Sequence, residues 1–136
     1  MSEHQKKWQA LKEHANSAAY FRLLGFEVVD IAEGYARLRM PASEKLLQFQ
    51  GAVHGGAIYS VADAAVAIAV LTTCEPEEQA VTIEGKVNYL APVRAEEMIT
   101  AEGKLVQRGR RIALGEVEVK GKDDRLVAKG LFTYMV

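Results

Sequence analysis

The feature that most constrains this chain is one long apolar stretch that contains a single charged residue. Residues 57–71, AIYSVADAAVAIAVL, are mostly Ala, Val, Ile and Leu, and Asp63 lies in their middle. The stretch predicts a helix over about residues 55–72 that is apolar on every side. Such a helix has to be covered all round. Since one curved sheet covers only part of a helix, we expect a second copy of the chain to cover the rest.

The remainder of the chain predicts a helical N-terminal region followed by strands. Helical segments are expected at 3–15 and 17–24, which makes the N-terminal region helical over about residues 3–24. Six β-rich runs are separated by short turn-like segments, and the last four are expected to be consecutive antiparallel neighbours: 26–32, 35–40, 80–90, 97–107, 111–120 and 126–134. The order predicts a single α+β domain over residues 1–136, with one central helix packed on an antiparallel sheet.

Composition and charge argue against several classes of protein. The formal net charge of −1 provides no electrostatic attraction for nucleic acid. The apolar stretch is about 15 residues long, whereas a membrane span needs ~20. One cysteine, Cys74, and three scattered histidines offer no metal-ligand spacing, so neither a metal nor a cofactor is expected. The lone Cys74 is predicted to be a core residue, and with an N-terminus that lacks a secretory signal it favours a cytoplasmic location.

The carboxylate of Asp63 needs an explanation, because burying it without a partner costs several kcal/mol. It must be paired, open onto a cleft or take part in chemistry. In one interpretation it bonds a neighbouring backbone or hydroxyl group, with Tyr59 and Ser60, one turn earlier on the helix, as candidate partners. In the other it is a functional acid. The local pattern leaves both open.

The glycine-rich turn before the helix favours the functional interpretation. If Gly55 and Gly56 open the helix, their N–H groups lack intrahelical acceptors and lie at the positive end of the helix dipole, which suits an anion or an oxyanion. Asp63 lies eight residues after Gly55, about 12 Å along the axis, too far to act on the same atom. A site that uses both would draw them from two chains. His54 either braces the turn, which we favour, or serves as a general base.

These residues form a recognisable motif. The pattern Gln48-x5-His54-Gly55-Gly56-x6-Asp63, with NYLAP at residues 88–92, resembles the hotdog-fold acyl-CoA thioesterases. The branch most similar is the PaaI-type (phenylacetate-degradation) and thioesterase superfamily member 2-like branch. The resemblance implies a central helix wrapped by a curved sheet, and a dimer, commonly paired into a tetramer, with active sites at the dimer interface.

The resemblance also implies roles for individual residues. Asp63 would be the catalytic nucleophile or general base, and the Gly55 N–H of the other subunit would polarise the thioester carbonyl. Gln48 stands where the branch usually has Asn and would orient the reacting groups. His54 would brace the loop. Thr82 matches a Ser/Thr position that contacts the reacting water or Asp63, although a β-branched residue in a strand explains it equally well.

Further residues are candidates for binding the substrate. Gly56 is expected to bind the substrate through its N–H group. Tyr59 and the stretch Leu46, Leu47 and Phe49 are candidates for lining an acyl pocket, and Tyr59 has a core position as its alternative. A cluster of three arginines either contacts the phosphates of CoA or forms a solvated hairpin tip: Arg108, Arg110 and Arg111.

The expected function is therefore hydrolysis of an aryl- or medium-chain acyl-CoA without a cofactor. A non-catalytic acyl-CoA binding or sensing protein is one alternative, although a binder gains nothing from a buried Asp63. An acyl-carrier protein could also replace CoA as the carrier of the substrate. A hotdog hydratase is disfavoured, because His54 beside two glycines does not resemble the motif of those enzymes.

Overall fold

The structure, a computed structural model that describes residues 1–136, places one long helix against a six-stranded antiparallel sheet. This arrangement confirms the predicted α+β class. The helices are α1 (Glu3–Asn16), α2 (Ala19–Leu24) and α3 (Gly55–Leu71). The strands are β1 (Glu27–Ala32), β2 (Tyr35–Pro41), β3 (Val81–Tyr89), β4 (Met98–Arg108), β5 (Ile112–Lys120) and β6 (Leu126–Met135).

The strand order corrects one expectation. The sheet runs β1-β2-β4-β5-β6-β3, so β3 and β4 are not neighbours, and β3 lies at an edge where it pairs only with β6. Residues 90–97 are too long for a tight turn and carry the chain across the sheet. Hydrogen bonds hold this segment to other elements, since Leu90 N–H donates to the Val127 carbonyl at 2.7 Å and Val53 N–H to the Val93 carbonyl at 2.9 Å.

Small side chains let α3 lie very close to the sheet. A Cβ atom on Gly103 of β4 would lie 2.6 Å from the carbonyl oxygen of Ala65, so only glycine allows this approach. The close packing explains why the helix is rich in alanine. The buried residues of α3 face the sheet: Ala57, Ile58, Val61, Ala62, Ala65, Val66, Ile68, Ala69 and Val70.

The sheet covers one stripe of α3 only partly. The residues that are not buried recur at helical spacing along this side: Gly55, Gly56, Tyr59, Ser60, Asp63, Ala64, Ala67 and Leu71. A single chain therefore buries the apolar helix completely on one side only. Asp63 and the first residue of the helix both belong to this partly covered stripe.

The N-terminal region forms two helices, which separate at Ser17 and Ala18. Ser2 caps α1 through a capping box with Gln5. The Trp8 indole N–H donates to the carbonyl oxygen of Thr72 at 3.1 Å and joins α1 to the end of α3. Cys74, just beyond α3, is buried as predicted. None of the helices combines the length and the hydrophobicity that a membrane crossing requires.

Glu97 joins the segment before β4 to the turn between β5 and β6. Its carboxylate accepts hydrogen bonds from the backbone N–H groups of Arg94 at 2.8 Å and Lys122 at 2.9 Å, and from the Arg125 guanidinium at 3.2 Å. The side chain is only 10% exposed. The Lys122 and Arg94 N–H groups, followed by the Arg125 charge, lower the pKa of Glu97.

This network predicts a pH-dependent loss of stability in Glu97→Gln. At neutral pH we expect the free energy of unfolding to fall by about 1 kcal/mol, because a charged acceptor becomes neutral. A lowered pKa stabilises the folded state above the ordinary Glu value, and this contribution disappears as the pH falls through the folded pKa. The difference in the free energy of unfolding between variant and wild type should therefore become smaller at acidic pH. Urea unfolding over a pH series measures it, with exposed Glu96→Gln as the control, and a constant difference would contradict the prediction.

Candidate active site

The N-terminus of α3 presents one free backbone donor. His54 is the N-cap residue, with extended backbone angles (φ −61°, ψ 136°), and its Nδ1 accepts from the Gly56 N–H at 2.8 Å. His54 therefore braces the turn before α3. The same bond occupies the Gly56 N–H, which had been expected to bind substrate. The Gly55 N–H donates to no acceptor within the chain, so this donor stays open at the positive end of the helix.

Tyr89, at the end of β3, lies directly against Gly55. Its hydroxyl donates to the Gly55 carbonyl oxygen at 2.8 Å. A Cβ atom at position 55 would lie 3.3 Å from the tyrosine ring, which is a tight contact. Burial raises the pKa of Tyr89, so the hydroxyl remains a donor at neutral pH. Tyr89 thus fixes the first peptide of the helix, a role that sequence reasoning missed.

Gln48 lines the same pocket as Gly55. The pocket has a volume of about 370 Å³ and is walled mainly by apolar residues, among them Ile58, Leu90 and Pro92. The side-chain oxygen of Gln48 accepts from the backbone N–H of Gln50, which closes the turn before α3. Asp63 is not part of this pocket. One chain therefore brings Gln48 and Gly55 together without Asp63.

The carboxylate of Asp63 is paired with the sheet and not with its own helix. The Tyr134 hydroxyl donates to Asp63 Oδ1, and it also lies 2.6 Å from the Asp63 carbonyl oxygen. Thr82 Oγ1 donates to the same Oδ1 at 3.2 Å. The suggested pairing with Tyr59 or Ser60 is therefore wrong.

Tyr59 and Ser60 have other partners. The Ser60 hydroxyl donates to the Gly56 carbonyl oxygen at 2.9 Å and pairs with the Tyr20 hydroxyl at 2.8 Å. The Tyr59 ring packs edge-on against Phe132, with ring centres 5.2 Å apart. Tyr59 is half-buried beside the core, as one of its two interpretations predicts.

The pairing of β3 with β6 explains why two hydroxyls meet at Asp63. Thr82 and Tyr134 are cross-strand partners, so their side chains share the face that packs on α3. A β-bulge between Thr82 and Glu84 then shifts the alternation by one residue, so that Gly85 also faces the helix, beside the Tyr59 hydroxyl. Thr82 therefore reaches Asp63 as the resemblance implied.

Tyr134 is a site residue that sequence reasoning missed. It is 1% exposed. Burial, followed by the hydrogen bond to Asp63, raises the pKa of its phenol far above the ordinary value, so Tyr134 stays protonated and donates. The sequence signal that could have identified Tyr134 was the alternation of apolar and polar residues in β6, which puts Phe132 and Tyr134 on the buried face. A buried tyrosine hydroxyl requires a hydrogen-bond partner.

The three arginines of the cluster have different surroundings in the structure. Arg108 Nε donates to the Thr73 hydroxyl at 2.8 Å, and its guanidinium also bonds the Gly109 carbonyl, so Arg108 is engaged at the end of α3. Arg110 and Arg111 are exposed and line a groove of about 430 Å³ with Ile112. No three His, Cys, Asp or Glu side chains lie close enough together to hold a metal ion.

A long helix wrapped by a curved antiparallel sheet is the hotdog fold. The structure of the Escherichia coli PaaI protein from the phenylacetic acid degradation operon matches it with a TM-score of 0.90, at 24% identity, over 98% of this chain and 95% of that one. A Streptococcus mutans protein solved with acetyl-CoA bound matches with a TM-score of 0.77, at 27% identity, over 82% of this chain and 87% of that one.

Sequence comparison identifies the family. A family model of the thioesterase superfamily matches residues 50–128, more than half of the chain. A Saccharolobus solfataricus protein provisionally named an esterase is 33% identical over 116 residues, 85% of this chain and 76% of that protein. E. coli PaaI, named an acyl-coenzyme A thioesterase, is 25% identical over 124 residues, 90% of this chain and 86% of PaaI. The chain belongs to the thioesterase superfamily and is a PaaI-type thioester hydrolase, as its motif predicted.

The N-cap role of His54 leads to a stability prediction. His54→Ala should lower the free energy of unfolding by about 1 kcal/mol, because the Gly56 N–H loses its acceptor. His54→Asn is the matched control, since Asn is a strong N-cap residue and should retain most of the stability. Urea unfolding of the three proteins measures the difference. Equal loss in both variants would show that the imidazole contributes something other than the cap.

Proposed function

We propose that this protein is an acyl-CoA thioesterase that hydrolyses an aryl- or medium-chain acyl-CoA to the free acid and CoA, at sites shared between two subunits. One observation carries the proposal. The open Gly55 N–H and the paired carboxylate of Asp63 both lie on the stripe of α3 that the chain's own sheet covers only partly. An oxyanion donor and an acid on such a surface suit a site that a partner completes.

The names of relatives support the substrate class. E. coli PaaI is named an acyl-coenzyme A thioesterase, and the S. mutans protein was solved with acetyl-CoA. PaaI also comes from the phenylacetic acid degradation operon, which favours an aryl acyl group. In this chain Arg110 and Arg111 are exposed and not engaged in ion pairs, so they are the arginines that we assign to the CoA phosphates.

The edge strand β3 supports a dimer. It has one unpaired edge and exposes large apolar residues, with Val81 56% and Ile83 52% exposed. Such an edge is a template for pairing with another strand. Antiparallel pairing of two β3 strands about a two-fold axis would form a continuous sheet. It would also cover part of both α3 helices and bring Gly55 of one subunit towards Asp63 of the other. A tetramer, which the resemblance implies, would pair two such dimers.

The proposed reaction uses residues of both subunits. Water adds to the thioester carbonyl carbon as Asp63 of one subunit takes a proton from it, and the Gly55 N–H of the other subunit stabilises the oxyanion. The carbon–sulfur bond then breaks, and the proton passes to the CoA thiolate. If Asp63 attacks the carbonyl directly, water hydrolyses the resulting anhydride in a second step. Gln48 and Thr82 orient the reacting groups.

Asp63→Asn should abolish most of the activity. We expect kcat to fall by about 100- to 10,000-fold, because the amide can neither accept the proton nor attack the carbonyl. The fold should persist, since the amide oxygen still accepts from Tyr134 and Thr82. Release of free thiol from a panel of aryl- and medium-chain acyl-CoAs measures activity, with the exposed Asp30→Asn as the control. Full activity in Asp63→Asn would overturn the assignment, and wild-type binding of acyl-CoA without turnover would favour a binding protein.

The Gly55 N–H can be removed without losing the helix. Proline is tolerated at the first helical position, and His54 already has the extended backbone that precedes proline. Gly55→Pro should lower kcat by about 100- to 1,000-fold, as expected for the loss of an oxyanion donor. Gly55→Ala is the matched control, since it crowds Tyr89 similarly but keeps the N–H. Equal activities of the two variants would contradict the oxyanion role.

Mixed dimers test whether each site is formed by two subunits. A subunit with Asp63→Asn paired with a subunit with Gly55→Pro would contain one intact site and one site with both defects. Co-expression should restore about a quarter of wild-type activity, because half of the dimers are mixed and one of their two sites is intact. The separately purified variants, assayed together without exchange, are the control. Absence of recovery would show that each site lies within one subunit.

A further inference from the structure

The hydroxyl of Tyr134 is a buried polar group that the proposed reaction leaves without a role. Tyr134 is 1% exposed and lies on β6, in the core face of the sheet. Its hydroxyl contacts two oxygens of the same residue, the Asp63 carbonyl oxygen at 2.6 Å and the carboxylate oxygen Oδ1. A packed core already encloses the ring, so the hydroxyl is the part of Tyr134 that calls for a functional explanation.

The two oxygens of the Asp63 carboxylate have different surroundings. Oδ1 accepts from both Tyr134 and Thr82, whereas Oδ2 accepts from no group in the chain. Oδ1 is therefore turned towards the sheet and occupied. Oδ2 is the oxygen left to accept from water or substrate. A carboxylate without these donors would rotate about its Cβ–Cγ bond and present either oxygen in varied directions.

The Tyr134 hydroxyl also has a hydrogen-bond acceptor in both charge states of Asp63. One O–H group has one proton, which it shares between two acceptors. While Asp63 is ionised, the carboxylate is the stronger acceptor. Once Oδ2 has taken a proton, the Tyr134 hydroxyl can turn to the Asp63 carbonyl oxygen, and Thr82 still donates to Oδ1. The buried donor therefore has an acceptor before and after proton transfer, so neither state leaves it unsatisfied.

We infer that Tyr134 is a positioning residue for the hydrolysis, which holds Oδ1 of Asp63 so that Oδ2 is the oxygen that reacts. The inference rests on the proposed role of Asp63. Tyr134 does not touch the substrate in this scheme. It acts through Asp63, and Thr82 assists it from the neighbouring strand as the second donor to the same oxygen.

The test is Tyr134→Phe, which removes the hydroxyl and keeps the ring. Its matched control is Tyr35→Phe, because the Tyr35 hydroxyl also donates to a carboxylate, that of Glu102 at 2.7 Å, on the outer face of the sheet. We expect kcat of Tyr134→Phe to fall about 10- to 100-fold, the size expected for a lost bond to a charged group, with KM little changed. Tyr35→Phe should keep both constants.

A double-mutant cycle with Thr82→Val separates positioning from a general effect on packing. Two donors to one oxygen act as a unit, so their effects on kcat should not be additive, whereas independent structural effects would add. Activity is expressed per folded molecule, with the folded fraction measured by near-ultraviolet circular dichroism. A loss that follows only the unfolded fraction, additive effects, or an unchanged kcat in Tyr134→Phe would each overturn the inference.

The same measurements distinguish this inference from the proposed function. An inactive Asp63→Asn with a fully active Tyr134→Phe would remove Tyr134 from the mechanism and leave Asp63 in place. An active Asp63→Asn would instead remove the proposed function, and Tyr134 with it. A fall in kcat for both variants supports the two together.

Discussion

The close packing of α3 on the sheet is the constraint on which the rest of the structure depends. The Ala65 backbone lies so near Gly103 that no side chain fits between them. A helix this close to a sheet has to be built from small apolar residues, and a polar group on it has little water nearby. Any charge on α3 must then be satisfied by the strands that surround it. Asp63 meets this condition through Thr82 and Tyr134.

The same helix carries two groups of opposite electrostatic character, a backbone N–H donor and a carboxylate, and holds them apart. Its first residue, Gly55, offers an open N–H at the positive end of the dipole, which suits a developing negative charge. Asp63 lies two turns later, where hydroxyl donors stabilise its own negative charge. A rigid helix holds the two groups about 12 Å apart. Chemistry at one carbonyl carbon can use both only if the donor and the acid come from different subunits.

The edge strand β3 combines three features that concern the site. Thr82 near its start reaches Asp63, Tyr89 at its end fixes the first peptide of α3, and its unpaired edge is open to another strand. The bulge after Thr82 makes the first two compatible, because without it Thr82 and Tyr89 would face opposite sides of the sheet. Pairing at the β3 edge would therefore also stabilise the strand that supports both ends of the site.

The sequence by itself determined the local elements and, through the resemblance of its motif, the family. Hydrophobic period and turn residues predicted α3 and every strand to within a few residues, because these patterns report which faces are buried. The motif that contains His54, Gly55 and Asp63 resembles that of the hotdog thioesterases, and this resemblance indicated a thioesterase before any contact was known. Only the tertiary structure decided that β3 pairs with β6, that Tyr134 bonds Asp63, and that Arg108 bonds Thr73. A hydrophobic pattern with a period of two or 3.6 residues identifies the buried face of a strand or helix. It does not identify which residue of another element contacts that face, because the contact depends on strand order and register.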